Sequence, residues 1–143
     1  MTTVDQLTQV FADNFMAYFR SHVAHVNIMG RNFQSDHSLL GGIYEDLQGQ
    51  IDTIGELLRS LQAFMPDDLT DVMHQSSVST MGISGSADDL LDEVKTDLEQ
   101  LKACYQELIS VADAEGYLEI SNYAQERVLA LAKHIWMLDS TLS

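Results

Sequence analysis

One proline (Pro66), one cysteine (Cys104), and seven lysines and arginines against 22 aspartates and glutamates are all that 143 residues provide. Each scarcity excludes something. A chain so poor in helix breakers leaves room for long uninterrupted helices. A single cysteine forms no internal disulfide and fits a reducing compartment. It falls in an apolar helical stretch and reads as a buried thiol rather than a nucleophile. Binding DNA through phosphates needs clustered cations, yet the net charge is −15, and Arg20 and Lys133 are the lone cations of the first thirty and last sixteen residues. Neither end is a basic arm, so nucleic-acid binding is disfavoured unless divalent cations bridge it. An acidic surface attracts metal cations, although solubility accounts for the charge equally well. No uncharged apolar run reaches the length of a membrane span, and Met1 to Asp5 lacks the regions of a signal peptide. The expectation is a cytoplasmic protein.

Ready-made chemical motifs are also missing. There is no His-Glu-x-x-His, no cysteine pair and no glycine-rich phosphate loop ending in lysine. No Gly-x-Ser-x-Gly elbow supports a serine nucleophile. A di-iron bundle built within one chain needs paired Glu-x-x-His motifs; Asp71-Val72-Met73-His74 stands alone and begins with Asp.

Apolar residues at helical spacing are what the chain does have, 45% of it overall, enough for a single domain over residues 1–143 with one core. The first stripe is Leu7, Val10, Phe11, Phe15 and Tyr18, continued on the same face by His22 and His25. The second runs Leu40, Ile43, Leu47, Ile51, Ile54, Leu58 and Leu61. Pro66 with Asp67 and Asp68 ends that helix and opens a short one over Leu69 to Gln75. A Ser-, Thr- and Gly-rich stretch from Ser76 to Gly85 reads as loop, and Ser86 before Asp88 and Asp89 reads as an N-cap. The third stripe is Leu90, Leu91, Val94, Leu98, Leu101, Tyr105, Leu108 and Ala112. Gly116 breaks it, and Tyr117, Ile120, Ala124, Val128, Leu131, Ile135 and Leu138 form the fourth. Strand-like alternation and internal repeats are absent. The pattern predicts an all-α four-helix bundle with a long crossover between the second and third helices.

His25 and His37 lie twelve positions apart across a break at Gly30, and Asp52 and Glu56 follow at i, i+4 spacing. Two imidazoles and two carboxylates are donors suited to iron or zinc. On one continuous helix, His37 stands about 22 Å from Asp52 and about 28 Å from Glu56. The halves of this set meet only if two copies of the helix pair antiparallel about a two-fold axis, the commonest oligomer symmetry. Each half also has a plainer reading. A row of acids on a helix flank, here joined by Glu45, is what a solvated face looks like. A histidine on an apolar face serves equally well as a hydrogen-bonded core residue. His22 is a lesser candidate ligand; His74 and His134, without carboxylates at useful spacing, read as structural. A half-buried carboxylate pair is costly without a cation, so metal and assembly should be linked. Ligating imidazoles must be deprotonated, so affinity should fall with pH through the histidine range.

The run His25-Val26-Asn27-Ile28-Met29-Gly30-Arg31-Asn32-Phe33, followed by His37, Tyr44, Asp52 and Glu56, resembles the signature of the Dps mini-ferritins. Ala112 to Gly116 and Lys133-His134-Ile135-Trp136-Met137-Leu138 resemble that family too, and the spacing agrees from about residue 5 to 141. The resemblance implies a ferritin-like bundle assembled from two-fold dimers into a hollow dodecamer. It implies ferroxidase sites where His25 and His37 of one subunit face Asp52 and Glu56 of its mate. There Fe²⁺ is oxidised, preferentially by hydrogen peroxide, and ferric mineral is stored inside, with zinc as a substitute occupant. The chain departs from the pattern at Gly41, where the family usually carries Asp, at Val26 for the usual Trp, and at Gly55 for the usual Ala. Tyr117 and Asn122 replace acids of the three-fold iron entrance, and the basic tail that some members use for DNA is missing. The alternative is a shell or interaction protein of the same fold whose metal centre has decayed.

Overall fold

The computed structural model describes residues 1–143 and contains five helices. They are α1 (Thr3–Asn27), α2 (Phe33–Ser60), α3 (Leu69–Gln75), α4 (Ala87–Glu115) and α5 (Leu118–Leu142). The four long ones form the bundle. Their starts and stops follow local chemistry. Thr2 with Asp5, and Ser86 with Asp89, form capping boxes that satisfy the first free N–H groups of α1 and α4. Gly116 closes α4 in the left-handed conformation at φ 81°, which a residue without Cβ adopts at no steric cost. The break at Gly30 likewise sits at φ 131°.

Antiparallel pairing is readable from cross-helix contacts. The Asn14 side-chain amide donates to the Leu47 carbonyl at 2.9 Å, tying α1 to α2. Gln6 donates to the Cys104 carbonyl at 3.1 Å, tying α1 to α4. Lys95 pairs with Asp139 at 2.5 Å, tying α4 to α5. The stripes fill the interior: Leu7, Leu40, Leu47, Leu98, Leu101, Leu108 and Leu131 are wholly inaccessible to solvent. Tyr117 does not join its stripe, because it occupies the N-cap position of α5 and is partly exposed.

The crossover between Ser60 and Ala87 carries α3 and lies against α1. Asp13, fully buried, explains why it stays in place. Its carboxylate accepts from the Ser77 backbone N–H at 2.7 Å, from the Ser77 hydroxyl at 2.5 Å and from Gln9 at 3.0 Å. A buried carboxylate satisfied by three donors is a structural anchor. Arg20, also buried, pairs with Glu93 and lies 2.9 Å from Asp97. That second contact is poorly aligned and leaves Arg20 Nε and Asp97 Oδ2 without a well-formed hydrogen bond. Burial therefore dominates, followed by Arg20's opposing attraction, and raises the Asp97 carboxyl to about 7. No helix is long and apolar enough to cross a membrane.

Candidate metal centre

The short turn between α1 and α2 brings His25, in the last turn of α1, against His37, near the start of α2. Their rings stack with centroids 3.8 Å apart and planes 16° from parallel. His25 Nδ1 lies 2.7 Å from the His37 carbonyl oxygen, and His37 Nδ1 lies 2.7 Å from the His25 carbonyl oxygen. A carbonyl only accepts, so each Nδ1–H donates, and in the neutral ring each Nε2 keeps its lone pair. This is the device by which metal-binding histidines are held: one ring N–H goes to a backbone carbonyl, fixing tautomer and orientation for the other nitrogen. His37 also satisfies a carbonyl that the C-terminus of α1 leaves without a helical partner. The arrangement is reciprocal, and both rings are half-buried.

Gly41 makes the arrangement fit. A Cβ at that position would lie 3.1 Å from His25 Cε1 and 3.3 Å from His25 Nδ1. Any side chain there would press on the ring, which would have to give by a few tenths of an ångström. Two further aromatic residues extend the stack. Tyr44 lies 5.0 Å from His25 and 4.0 Å from His22, centroid to centroid, and His22 Nδ1 is 3.0 Å from the Tyr18 hydroxyl. His22 thus has a partner of its own within this cluster.

Asp52 and Glu56 follow on the same helix, which runs unbroken from Phe33 to Ser60. At its rise they stand about 22 Å and about 28 Å from His37. They are exposed, whereas the sequence suggested a half-buried pair. They sit on the flank of α2 and no second element of the chain covers them. A hydrogen bond with Asp52, and then its charge, raise the Glu56 carboxyl above its ordinary value. A cation between the two removes that repulsion. No three His, Cys, Asp or Glu side chains gather within the chain to hold a metal ion. The donor types fit Fe²⁺ or Zn²⁺, but one chain supplies them as two separate halves.

His134 was expected to lack a carboxylate partner, and the structure corrects this. Its Nε2 lies 2.9 Å from Asp46 Oδ2. Arg127 grips both oxygens of that carboxylate, at 3.0 and 2.9 Å. Beside them Tyr123 donates to Gln50 at 2.6 Å and meets Tyr105 at 3.3 Å. These residues bridge α2 and α5 from positions 81 and 88 apart, a separation no spacing rule reveals. His74 is exposed on α3 and has no such role.

A bundle of four antiparallel helices whose crossover runs between the second and third defines the ferritin-like class. Residues 4–143 match the ferritin family, described as a ferritin-like domain. The DNA protection during starvation protein of Helicobacter pylori is 26% identical over the whole of both chains. Antigen TpF1 of Treponema pallidum is 29% identical, covering 96% of this chain and 78% of its own. Among solved structures, Dps from Staphylococcus aureus superposes with a TM-score of 0.93 at 25% identity, covering 99% of this chain and 95% of its own. The chain belongs to the ferritin-like family, on its Dps branch.

Proposed function

We propose that this protein oxidises and stores iron in a hollow homo-oligomer of the dodecameric kind. Copies pair antiparallel about two-fold axes, so that His25 and His37 of one chain and Asp52 and Glu56 of a second enclose one Fe²⁺. Hydrogen peroxide is the oxidant and the ferric product is kept inside the shell. The observation that carries this reading is the locked imidazole pair. The fold locks the His25 imidazole of α1 against that of His37 at the start of α2, leaving both Nε2 lone pairs free, and leaves a mutually repelling carboxylate pair toward the other end of α2. Each half lacks what the other supplies.

Two further observations support pairing. Phe19, Val26, Leu69, Met73 and Met81 are exposed apolar residues of α1 and the crossover, and an apolar patch of this kind marks an interaction surface. Phe15, Phe19, Leu69 and Met73 line a cavity of about 280 Å³ there. The curated relatives are named for protecting DNA during starvation, which removal of Fe²⁺ and peroxide accomplishes without DNA contact. The charge of −15 agrees with that route.

Gly41 favours a second reading, a shell of the same fold without ferroxidase activity, because it deletes one carboxylate from the donor set. Titrating the purified oligomer with Fe²⁺ under argon separates the two. One saturable ion per subunit, lost in the Asp52→Ala and Glu56→Ala double variant with helicity intact, is the expected result. Unchanged peroxide-driven oxidation in that variant overturns the assignment. The decayed centre would show no saturable site in the wild type.

A further inference from the structure

Beside the metal-binding histidines lies a column of aromatic rings that ligation does not use. From His25 the column passes to Tyr44 at 5.0 Å, to His22 at 4.0 Å with planes 20° apart, and to Tyr18 at 5.6 Å. No step along this path exceeds 5.6 Å between ring centroids, so the rings form a chain of close neighbours from a ligand of the proposed centre to Tyr18. The far end of the column is chemically distinct. Tyr18 Oη lies 3.0 Å from His22 Nδ1. A phenol is hard to oxidise while it keeps its proton, and an imidazole at hydrogen-bond distance is the group that accepts one.

The centre has a use for such a group. In the proposed centre four donors hold one Fe²⁺, and Gly41, crowded by the His25 ring, contributes no fifth. One Fe²⁺ gives one electron; hydrogen peroxide takes two. Reduction by one electron alone splits the O–O bond into hydroxide and a free hydroxyl radical. We propose that Tyr18 is the second electron donor of this centre, with His22 as its proton acceptor and Tyr44 as the contact between them and the iron site. This rests on the iron-oxidising reading given above.

The step balances as follows. The O–O bond of H₂O₂ breaks; Fe²⁺ supplies one electron and becomes Fe³⁺. Tyr18 supplies the other and becomes the neutral tyrosyl radical, its proton passing to His22 Nδ1. Two protons from solvent complete two molecules of water. A second Fe²⁺ arriving at the site then returns one electron to the radical, and His22 returns the proton. Two Fe²⁺ are consumed per peroxide through a one-ion centre, and no hydroxyl radical is released.

The test uses the assembled protein loaded anaerobically with one Fe²⁺ per subunit, mixed with one equivalent of hydrogen peroxide and freeze-quenched for electron paramagnetic resonance. A tyrosyl radical is expected in the wild type. It should be lost in Tyr18→Phe, with a several-fold rise in spin-trapped hydroxyl radical, while Fe²⁺ binding stays at one per subunit. His22→Gln accepts the hydrogen bond but does not hold the proton, so it should show the same loss and the same rise. A radical that survives Tyr18→Phe overturns the proposal, as does a wild type that forms none. If Fe²⁺ binds but is not oxidised, or does not bind, it is the iron-oxidising reading that has failed. Circular dichroism of both variants identifies any loss of fold.

Discussion

The two ends of α2 are organised on opposite terms. At the N-terminal end His25 and His37 are half-buried, stacked, and each hydrogen-bonded to the other's backbone. At the C-terminal end Asp52 and Glu56 are exposed, and Asp52 raises the cost of ionising Glu56. The imidazole half is therefore part of the fold, formed by one chain from its own carbonyls. The carboxylate half is exposed and contributes little to the fold, and the proposed cation is what would relieve its repulsion. Substitutions at the first end should disturb stability and binding together, and at the second end binding alone.

The largest effect expected is on binding. Asp52→Asn with Glu56→Gln removes the charge that neutralises Fe²⁺, and the saturable site should disappear from an anaerobic titration. The same variant without metal should unfold at or above the wild-type temperature, because a repulsion has been deleted. The sign with pH follows. Glu56's folded value is raised, so the pair is least unfavourable below the ordinary carboxylate range and loses that relief as pH rises through the folded value. A fall of several degrees in the melting temperature of the metal-free variant would erase the contrast between the ends.

Gly41→Asp sharpens the contrast from the other side. It restores the residue that the Dps pattern carries there, and a reader of sequence alone would predict a better metal site. The structure predicts damage, because the new Cβ would crowd, at 3.1 Å, a ring held by its Nδ1 hydrogen bond and by stacking on His37. That bond is worth about 1 kcal/mol and overpacking costs about 1–3 kcal/mol, so a loss of about 2–4 kcal/mol should appear in urea unfolding. Gly49, where an added Cβ meets nothing within 4 Å, is the control. Equal effects at the two glycines would show that His25 does not need the space.

Between the two ends, Asp46 fastens α2 to α5. Burial raises its carboxyl, but hydrogen bonds from His134 and Arg127, with Arg127's charge, outweigh burial and hold it well below the ordinary value of 3.8. A depressed carboxylate contributes stability above its unfolded value and loses it as pH falls through the folded one. Asp46→Asn should therefore cost about 1–3 kcal/mol near neutral pH and flatten the stability profile below pH 4. A parallel profile, merely displaced, would deny Asp46 this role.

Which parts of this were legible in the sequence follows from the range of the forces involved. The four stripes, the Ser86 cap, the Gly116 stop and the short helix after Pro66 are set by neighbours within one or two turns, and the helices begin and end as those signals predict. The separation of the metal donors was legible too, since it needs only the rise of a helix. The lock between His25 and His37 was not: a twelve-residue gap does not say that each ring faces the other's carbonyl. Gly41 was visible as a departure while its reason, the volume of the His25 ring, belongs to tertiary packing. Buried Arg20 and Asp13 escaped for the same reason, since polar residues on α1 read as surface until the partners that satisfy them are in place.

The smallest effect compares like with like. Gly55, between the two acids, is the other interior glycine of α2 whose Cβ would meet a neighbour, 2.9 Å from Met65 Sδ. That sulfur lies near the end of a flexible side chain that is 46% exposed and moves aside at little cost. Replacing a mid-helix glycine by alanine gains about 0.5–1 kcal/mol, so Gly55→Ala should raise stability by a few tenths of a kcal/mol after Met65 shifts. Gly41→Ala offers the same gain against a ring that is stacked on His37 and hydrogen-bonded through its Nδ1, and should lower stability by about 1 kcal/mol. One substitution, made at each end of one helix, thus changes sign, and chemical denaturation measures both. If the two alanines shift stability in the same direction, the imidazole end is no more rigid than the carboxylate end.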